Sequence, residues 1–170
     1  MSNPTPKLAW GHVNINVSNL DRSIAFYEKL GFQVLMRGVP YLGLTADGGA
    51  AVIPEPGAQA LGLPAETSGR ACIMQLDEGF PKVDLTEYSD KTQREPATNA
   101  DLGIVRLCLA SRDLREDYTL LRAQGIEFVS PPRPAKDGLA DLAVCFDPDG
   151  TLIELIQVDL GKWSSLPRDR

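Results

Sequence analysis

The sequence predicts an α+β fold built by duplicating one unit, in which a strand, a helix and a second strand are followed by a hairpin. Three observations predict it. NLDRSIAFYEKLGFQVL at 19 to 35 falls without a gap on DLREDYTLLRAQGIEFV at 113 to 129, an offset of 94 (113 − 19). LDEGFPKVDLTEY at 76 to 88 falls on FDPDGTLIELIQV at 146 to 158, an offset of 70 (146 − 76). Finally, His12, Asn14 and Asn16 alternate with Val13, Ile15 and Val17, the period of two that gives a strand one polar and one apolar face.

The elements follow in order. After the strand near 10 to 17 comes a helix near 20 to 30, with Leu20, Ile24 and Tyr27 on one face at i, i+4, i+7. Ser18 or Asn19 can accept the free amide hydrogens of its first turn, and Gly31 stops it. The two offsets differ by 24 (94 − 70), so the first unit carries extra chain, which lies at 38 to 69. That insertion is rich in glycine and proline, with one helical turn expected at AQALGL. Its apolar residues point to a mobile lid or an edge strand rather than a linker. The first hairpin closes with a strand near 82 to 88, and the polar, aperiodic SDKTQREPATNAD near 89 to 101 reads as the linker.

The second unit repeats the scheme. A strand near 104 to 110 leads into a helix near 114 to 124, with Leu114, Tyr118 and Leu121 as its apolar stripe, Ser111 or Asp113 as its cap and Gly125 as its stop. PPRPAKDG at 131 to 138 reads as an exposed loop stiffened by three prolines. The closing hairpin turns at Asp149-Gly150, shaped by Asp147 and Asp149, and ends in a strand near 151 to 157. Two domains result: 1–101, holding the insertion 38–69 and the linker 89–101, and 102–170, holding the second unit and a tail.

Bulk properties limit the function. The chain has 170 residues, 43% of them hydrophobic, which is enough for a real core. A net charge of -6 and a pI near 4.8, without a run of lysines or arginines, argue against nucleic acid and anionic membranes. A small molecule is the expected partner, and no nucleotide cofactor is expected. Cys72, Cys108 and Cys145 are odd in number and sit in apolar runs, which suits buried reduced thiols and a cytoplasmic protein. The N-terminus MSNPTPKLAW does not resemble a signal peptide, and no apolar stretch is long enough to span a membrane.

HVNINVSNLDRSIAFYEKLGF and FDPDGTLIELIQ resemble the opening strand and helix and the closing hairpin of the vicinal oxygen chelate superfamily. That superfamily holds glyoxalase I, bleomycin-resistance proteins, extradiol dioxygenases and methylmalonyl-CoA epimerase, and the resemblance covers nearly the whole chain. It implies two tandem βαβββ modules forming a cup-shaped mixed sheet, with helices on the convex side. It also implies a divalent metal (zinc, nickel, manganese or iron) held by one side chain from the first and last strand of each module. On that pattern the four positions are His12, Asp84, Arg106 and Glu154. The internal offsets pair the same residues, His12 with Arg106 and Asp84 with Glu154.

Here the chain departs from the pattern. Arg106 stands where the family usually has a ligating side chain, and a guanidinium has five donors, no lone pair and a charge that does not titrate away. Asp84 is one methylene shorter than the usual glutamate. His12, Asp84 and Glu154 remain as three candidate metal ligands. A unit charge about 5 Å from a divalent ion opposes it by about 6 kcal/mol at an effective dielectric near 20, so the balance runs against a bound metal. The expectation is a cleft gathering His12, Asp84, Arg106 and Glu154 within a few ångströms and holding water or an organic anion.

Each residue carries alternatives. Arg106 either forms a structural salt bridge with Asp84 or Glu154, or anchors a substrate carboxylate or enolate. His12 is a ligand, an acid or a hydrogen-bonded strand histidine. Asn14 and Trp10 share its polar face, Trp10 being able to stack on a flat ligand. Cys108, on the face of Arg106, lines the cup, and packing is favoured over nucleophilic chemistry because no second histidine can activate it.

One histidine cannot supply the two-histidine, one-carboxylate triad of extradiol oxygenation within one subunit, which disfavours a dioxygenase. Proton transfer survives, with Glu154 or Asp84 as base, His12 as acid or ligand, and a metal or Arg106 stabilising an enolate-like oxyanion. The expected function is therefore a glyoxalase-like isomerase or lyase acting on an oxygenated metabolite. The alternative is a non-catalytic protein that binds and sequesters a small molecule, of the bleomycin-resistance type. Retention of His12 with two acids favours chemistry and Arg106 favours binding; the balance leans to the enzyme. A homodimer is expected, with module closure within one chain or across the dimer left open.

Overall fold

A computed structural model describes residues 6–92 and 95–165; the middle of the expected linker, at 93 and 94, and both chain ends lie outside the described residues. The chain divides into two compact units, Met1–Gln93 and Arg94–Arg170. In the first, β1 (His12–Asn16), α1 (Leu20–Lys29) and β2 (Gln33–Met36) are followed by β3 (Gly38–Val39), β4 (Leu44–Thr45), β5 (Ala51–Val52) and α2 (Glu55–Ala60). The hairpin β6 (Ser68–Gln75) and β7 (Lys82–Tyr88) completes it. The second runs β8 (Arg106–Ala110), α3 (Leu114–Ala123), β9 (Arg133–Pro134), β10 (Ala140–Phe146), β11 (Leu152–Val158) and α4 (Leu160–Ser164).

The class is α+β with mixed sheets, and the duplication is visible in the strand order. The first sheet runs β1-β7-β6-β2, with β5 added beside β6, and the second runs β8-β11-β10-β9. In each, the opening strand lies parallel to the last strand, and the closing hairpin is antiparallel. Helix α1 packs against β7, and α3 against β10 and β11.

Local chemistry explains why both copies fold alike. Asn19 caps α1 by accepting the Arg22 amide, and Asp113 caps α3 by accepting the Glu116 amide. Gly31 at φ 92° and Gly125 at φ 83° take the left-handed conformation that ends each helix. Leu20, Ile24, Tyr27, Leu114 and Leu121 are buried as the helical spacing requires. Tyr118 is the exception in the stripe: half-buried, it packs edge to face on Phe128 at 4.8 Å.

The insertion is packed rather than a mobile lid. Val39, Leu42, Leu44, Ile53, Ala58 and Ala71 form a buried cluster, and β5 adds to the sheet at β6, as the edge-strand alternative required. Its helix is Glu55–Ala60, starting ahead of the expected turn because Pro54 and Pro56 preset the first helical dihedrals. The proline loop at 131 to 138 contains the edge strand β9, where Pro134 faces Asp141; an edge position is where a missing amide hydrogen costs least. Cys72 and Cys145 are buried free thiols, but Cys108 is exposed, correcting the expectation that all three are buried. It lies on the polar-facing side of β8, an edge strand with one uncovered face. No helix among the described residues is long and apolar enough to cross a membrane.

The hairpin turns repeat their chemistry too. Asp77 Oδ1 accepts the Gly79 amide at 2.7 Å, and Asp147 Oδ1 accepts the amides of Asp149 at 2.9 Å and Thr151 at 2.7 Å. Burial pushes the Asp147 carboxyl above its usual range, against the pull of those amides. Because its folded pKa is raised, the folded state holds more protons, and stability from this group falls as pH rises above the ordinary carboxylate range. Asp147→Asn keeps an acceptor and removes the charge. Its stability relative to wild type should therefore improve between pH 4 and pH 7 in denaturant titrations, whereas Asp147→Ala should lose about 1–3 kcal/mol throughout.

Candidate functional site

The parallel pairing of β1 with β7 sets Asn14 opposite Asp84 and Asn16 opposite Thr86, and His12 opens the same face. Strand alternation therefore collects His12, Asn14, Asn16, Asp84 and Thr86 on one side of the sheet and sends Val13, Ile15, Val83 and Leu85 to the other. His12 Nε2 lies 3.7 Å from Asp84 Oδ2, with the imidazole 44% exposed and the carboxylate side chain only 3% exposed. A buried carboxylate beside a half-open imidazole is a pair able to take and return a proton. Thr86 Oγ1 donates to Asn14 Oδ1 at 2.8 Å, and Asn14 Nδ2 donates to Asn16 Oδ1 at 2.8 Å, so the rest of the face is a fixed ladder of amides.

Sequence reasoning missed a third member. Tyr41 stands on the 3-10 turn Pro40–Leu42 inside the insertion, donates its hydroxyl to Asp84 Oδ2 at 2.9 Å, and stacks on His12 with ring centroids 6.2 Å apart. Partial burial and then the bond to Asp84 push its phenol up to about 12. The repeat contained no signal for it, because the insertion has no counterpart in the second unit.

In the second unit the equivalent face reads differently. Arg106, Cys108 and Ala110 lie on β8, and Leu152, Glu154 and Ile156 stand opposite them on β11. The Arg106 Nε donates to Glu154 Oε2, and its Nη1 donates to Asn99 Oδ1 at 2.9 Å. The salt bridge therefore falls to Glu154, the partner from its own module. Asn99, within the expected linker, is the second residue that sequence reasoning missed. The guanidinium stays 39% exposed and the carboxylate 12% exposed, so part of the cation faces outward. Cys108 hydrogen-bonds Glu154; partial desolvation, then the carboxylate's charge, hold its thiol above the usual range, which suits a lining residue better than a nucleophile. Trp10 lies before β1 and is 75% exposed, outside the strand that was to carry it.

Taken unit by unit, the donors are too few for a resident divalent ion: the first unit offers His12 and Asp84, and the second offers Glu154 beside Arg106, whose guanidinium has no lone pair and donates to that carboxylate. Among the described residues no group of three His, Cys, Asp or Glu side chains is arranged to hold a metal.

Comparison with known proteins agrees with this architecture. Residues 9–155 match the model of the Glyoxalase/Bleomycin resistance protein/Dioxygenase superfamily. A glyoxalase family protein from Bacillus cereus superposes with a TM-score of 0.71 at 21% identity, over 91% of this chain and 96% of that one. A glyoxalase family protein from Enterococcus faecalis gives 0.56 at 27% identity, over 85% and 94%. Glyoxalase I from Zea mays gives 0.59 at 22% identity over 86% of this chain, which spans only 43% of the maize chain. Comparison with curated proteins found no match.

Proposed function

This chain belongs to the Glyoxalase/Bleomycin resistance protein/Dioxygenase superfamily, and from that premise we propose that it is a glyoxalase-like isomerase or lyase that moves a proton on a small oxygenated metabolite without a resident metal. The observation that carries the reading is the buried Asp84 carboxylate beside the half-open His12 imidazole. Asp84 acts as the base that takes the proton from the acidic carbon, and His12 as the acid that returns one. Arg106, held by Glu154 and Asn99, binds the ligand's carboxylate or the oxyanion through its outward N–H groups. Glu154 is assigned to holding Arg106 rather than to the base, because its Oε2 already accepts the guanidinium Nε–H. Asn14, Cys108 and Trp10 are assigned to ligand contact.

A second reading, a protein that binds and sequesters a small molecule, is favoured by one observation: Arg106 is a fixed cation that supplies recognition without any proton to give. Deuterium wash-in from D2O across a panel of α-hydroxy ketones, α-keto acids and α-keto aldehydes separates the two. Enzyme-dependent exchange supports the first reading; saturable binding without exchange supports the second. We further propose a cytoplasmic homodimer, on the reduced thiols and on the prevalence of two-fold symmetry among soluble oligomers. Sedimentation equilibrium at micromolar concentration should give twice the chain mass of 18.5 kDa, and a monomer alone would overturn it.

A further inference from the structure

We propose that Tyr41 is a positioning residue of the His12–Asp84 pair, which makes the 38–69 insertion part of the ligand site: its hydroxyl occupies Asp84 Oδ2, its ring walls the imidazole, and a ligand reaches the carboxylate by replacing the phenol. The turn that carries Tyr41 cannot travel far, because Val39, Leu42 and Leu44 around it are buried in the insertion's own cluster. Asp84 cannot come out to a ligand either, since it sits inside the sheet on β7 between β1 and β6. The part free to move is the Tyr41 side chain, 60% exposed and turning on its own two torsions. Swinging it out gives the phenol a hydrogen bond to water and leaves the Asp84 oxygen to be satisfied by the incoming ligand.

Replacement sets a chemical requirement on the occupant. To satisfy Asp84 Oδ2 it must bring an O–H or N–H donor, and to replace the stacked ring it must present a flat face to His12. Both demands are met by a planar, hydroxyl-bearing oxygenated compound, such as the enediol form of an α-hydroxy carbonyl. A carboxylate alone is rejected there, because it has no hydrogen to give and would face another anion.

The inference rests on reading His12 and Asp84 as the acid–base pair, but its test reads His12 itself and needs no turnover, so the two can fail separately. The chain has one histidine, so imidazole resonances and acylation by diethyl pyrocarbonate, located by mass spectrometry, report one residue. In the full chain at a single pH, Tyr41→Ala should raise the His12 acylation rate severalfold and move its ring-proton resonances. Tyr41→Phe should restore the wild-type acylation rate, while shifting the imidazole 15N resonances as the freed Asp84 oxygen turns to the ring. Wild-type rates and shifts in Tyr41→Ala would overturn the wall, and unchanged 15N resonances in Tyr41→Phe would overturn the hydroxyl's role. Tyr41→Leu removes the ring with its bulk kept, and serves should the alanine chain not fold.

Discussion

The Arg106→His variant should bind zinc, nickel or manganese about a hundredfold more tightly than wild type, close to 3 kcal/mol of binding free energy at about 1.4 kcal/mol per tenfold. Two effects add. The substitution removes a permanent cation, whose opposition to a divalent ion reaches about 6 kcal/mol at about 5 Å before discounting for the solvent around this half-exposed side chain. It also supplies an imidazole beside Glu154, which loses its guanidinium partner and becomes free to ligate. Arg106→Ala separates the two contributions, since it lifts the repulsion without adding a ligand, and should gain less. Calorimetric titration of metal-stripped proteins checks the order. Elemental analysis showing near-stoichiometric metal in the wild-type chain as isolated, purified without a histidine tag, would reverse the reading of Arg106 and make a metalloenzyme the leading assignment.

The residues that were legible in the sequence are those that the duplication wrote twice. Asn19 and Asp113, Gly31 and Gly125, and Asp77 and Asp147 each do one local job in both units, through short-range hydrogen bonds or a single backbone angle that spacing alone specifies. The positions His12, Asp84, Arg106 and Glu154 were legible through the family resemblance, with the offsets relating His12 to Arg106 and Asp84 to Glu154. Which of them pair was left open, and the structure joins His12 to Asp84 and Arg106 to Glu154, each within its own unit. What lay outside the repeat was not legible. Tyr41 and Asn99 come from an insertion and a linker without a second copy: Tyr41 reaches Asp84 through a contact 43 residues apart, and Asn99 reaches Arg106 seven residues on, at a spacing that no repeat marks. The insertion's packing escaped for a similar reason: glycine and proline mark its turns, but whether its scattered valine, leucine and isoleucine close into one cluster depends on three-dimensional proximity.

Asp84→Asn should reduce any catalysed proton exchange by about 10²–10⁴-fold, the usual contribution of a positioned general base, while leaving the fold intact. The substitution is nearly isosteric. The amide carbonyl can still accept the Tyr41 hydroxyl, so the cap over the site survives, and a neutral group in a position whose side chain is 3% exposed is no harder to bury than a carboxylate. What disappears is the carboxylate oxygen able to take a proton and its negative charge 3.7 Å from His12 Nε2. Ligand affinity should change far less, because the amide ladder of Asn14 and Asn16 on the same face is untouched. Turnover would therefore collapse while binding persists, with little change in the denaturation midpoint. Glu154→Gln should behave differently: it loosens Arg106 from its partner and so weakens binding of an anionic ligand more than it slows exchange. Equal exchange rates in wild type and Asp84→Asn would remove Asp84 from the chemistry. If Glu154→Gln then carried the larger loss, the base would belong to the second module and Arg106 would be tuning it rather than anchoring the ligand.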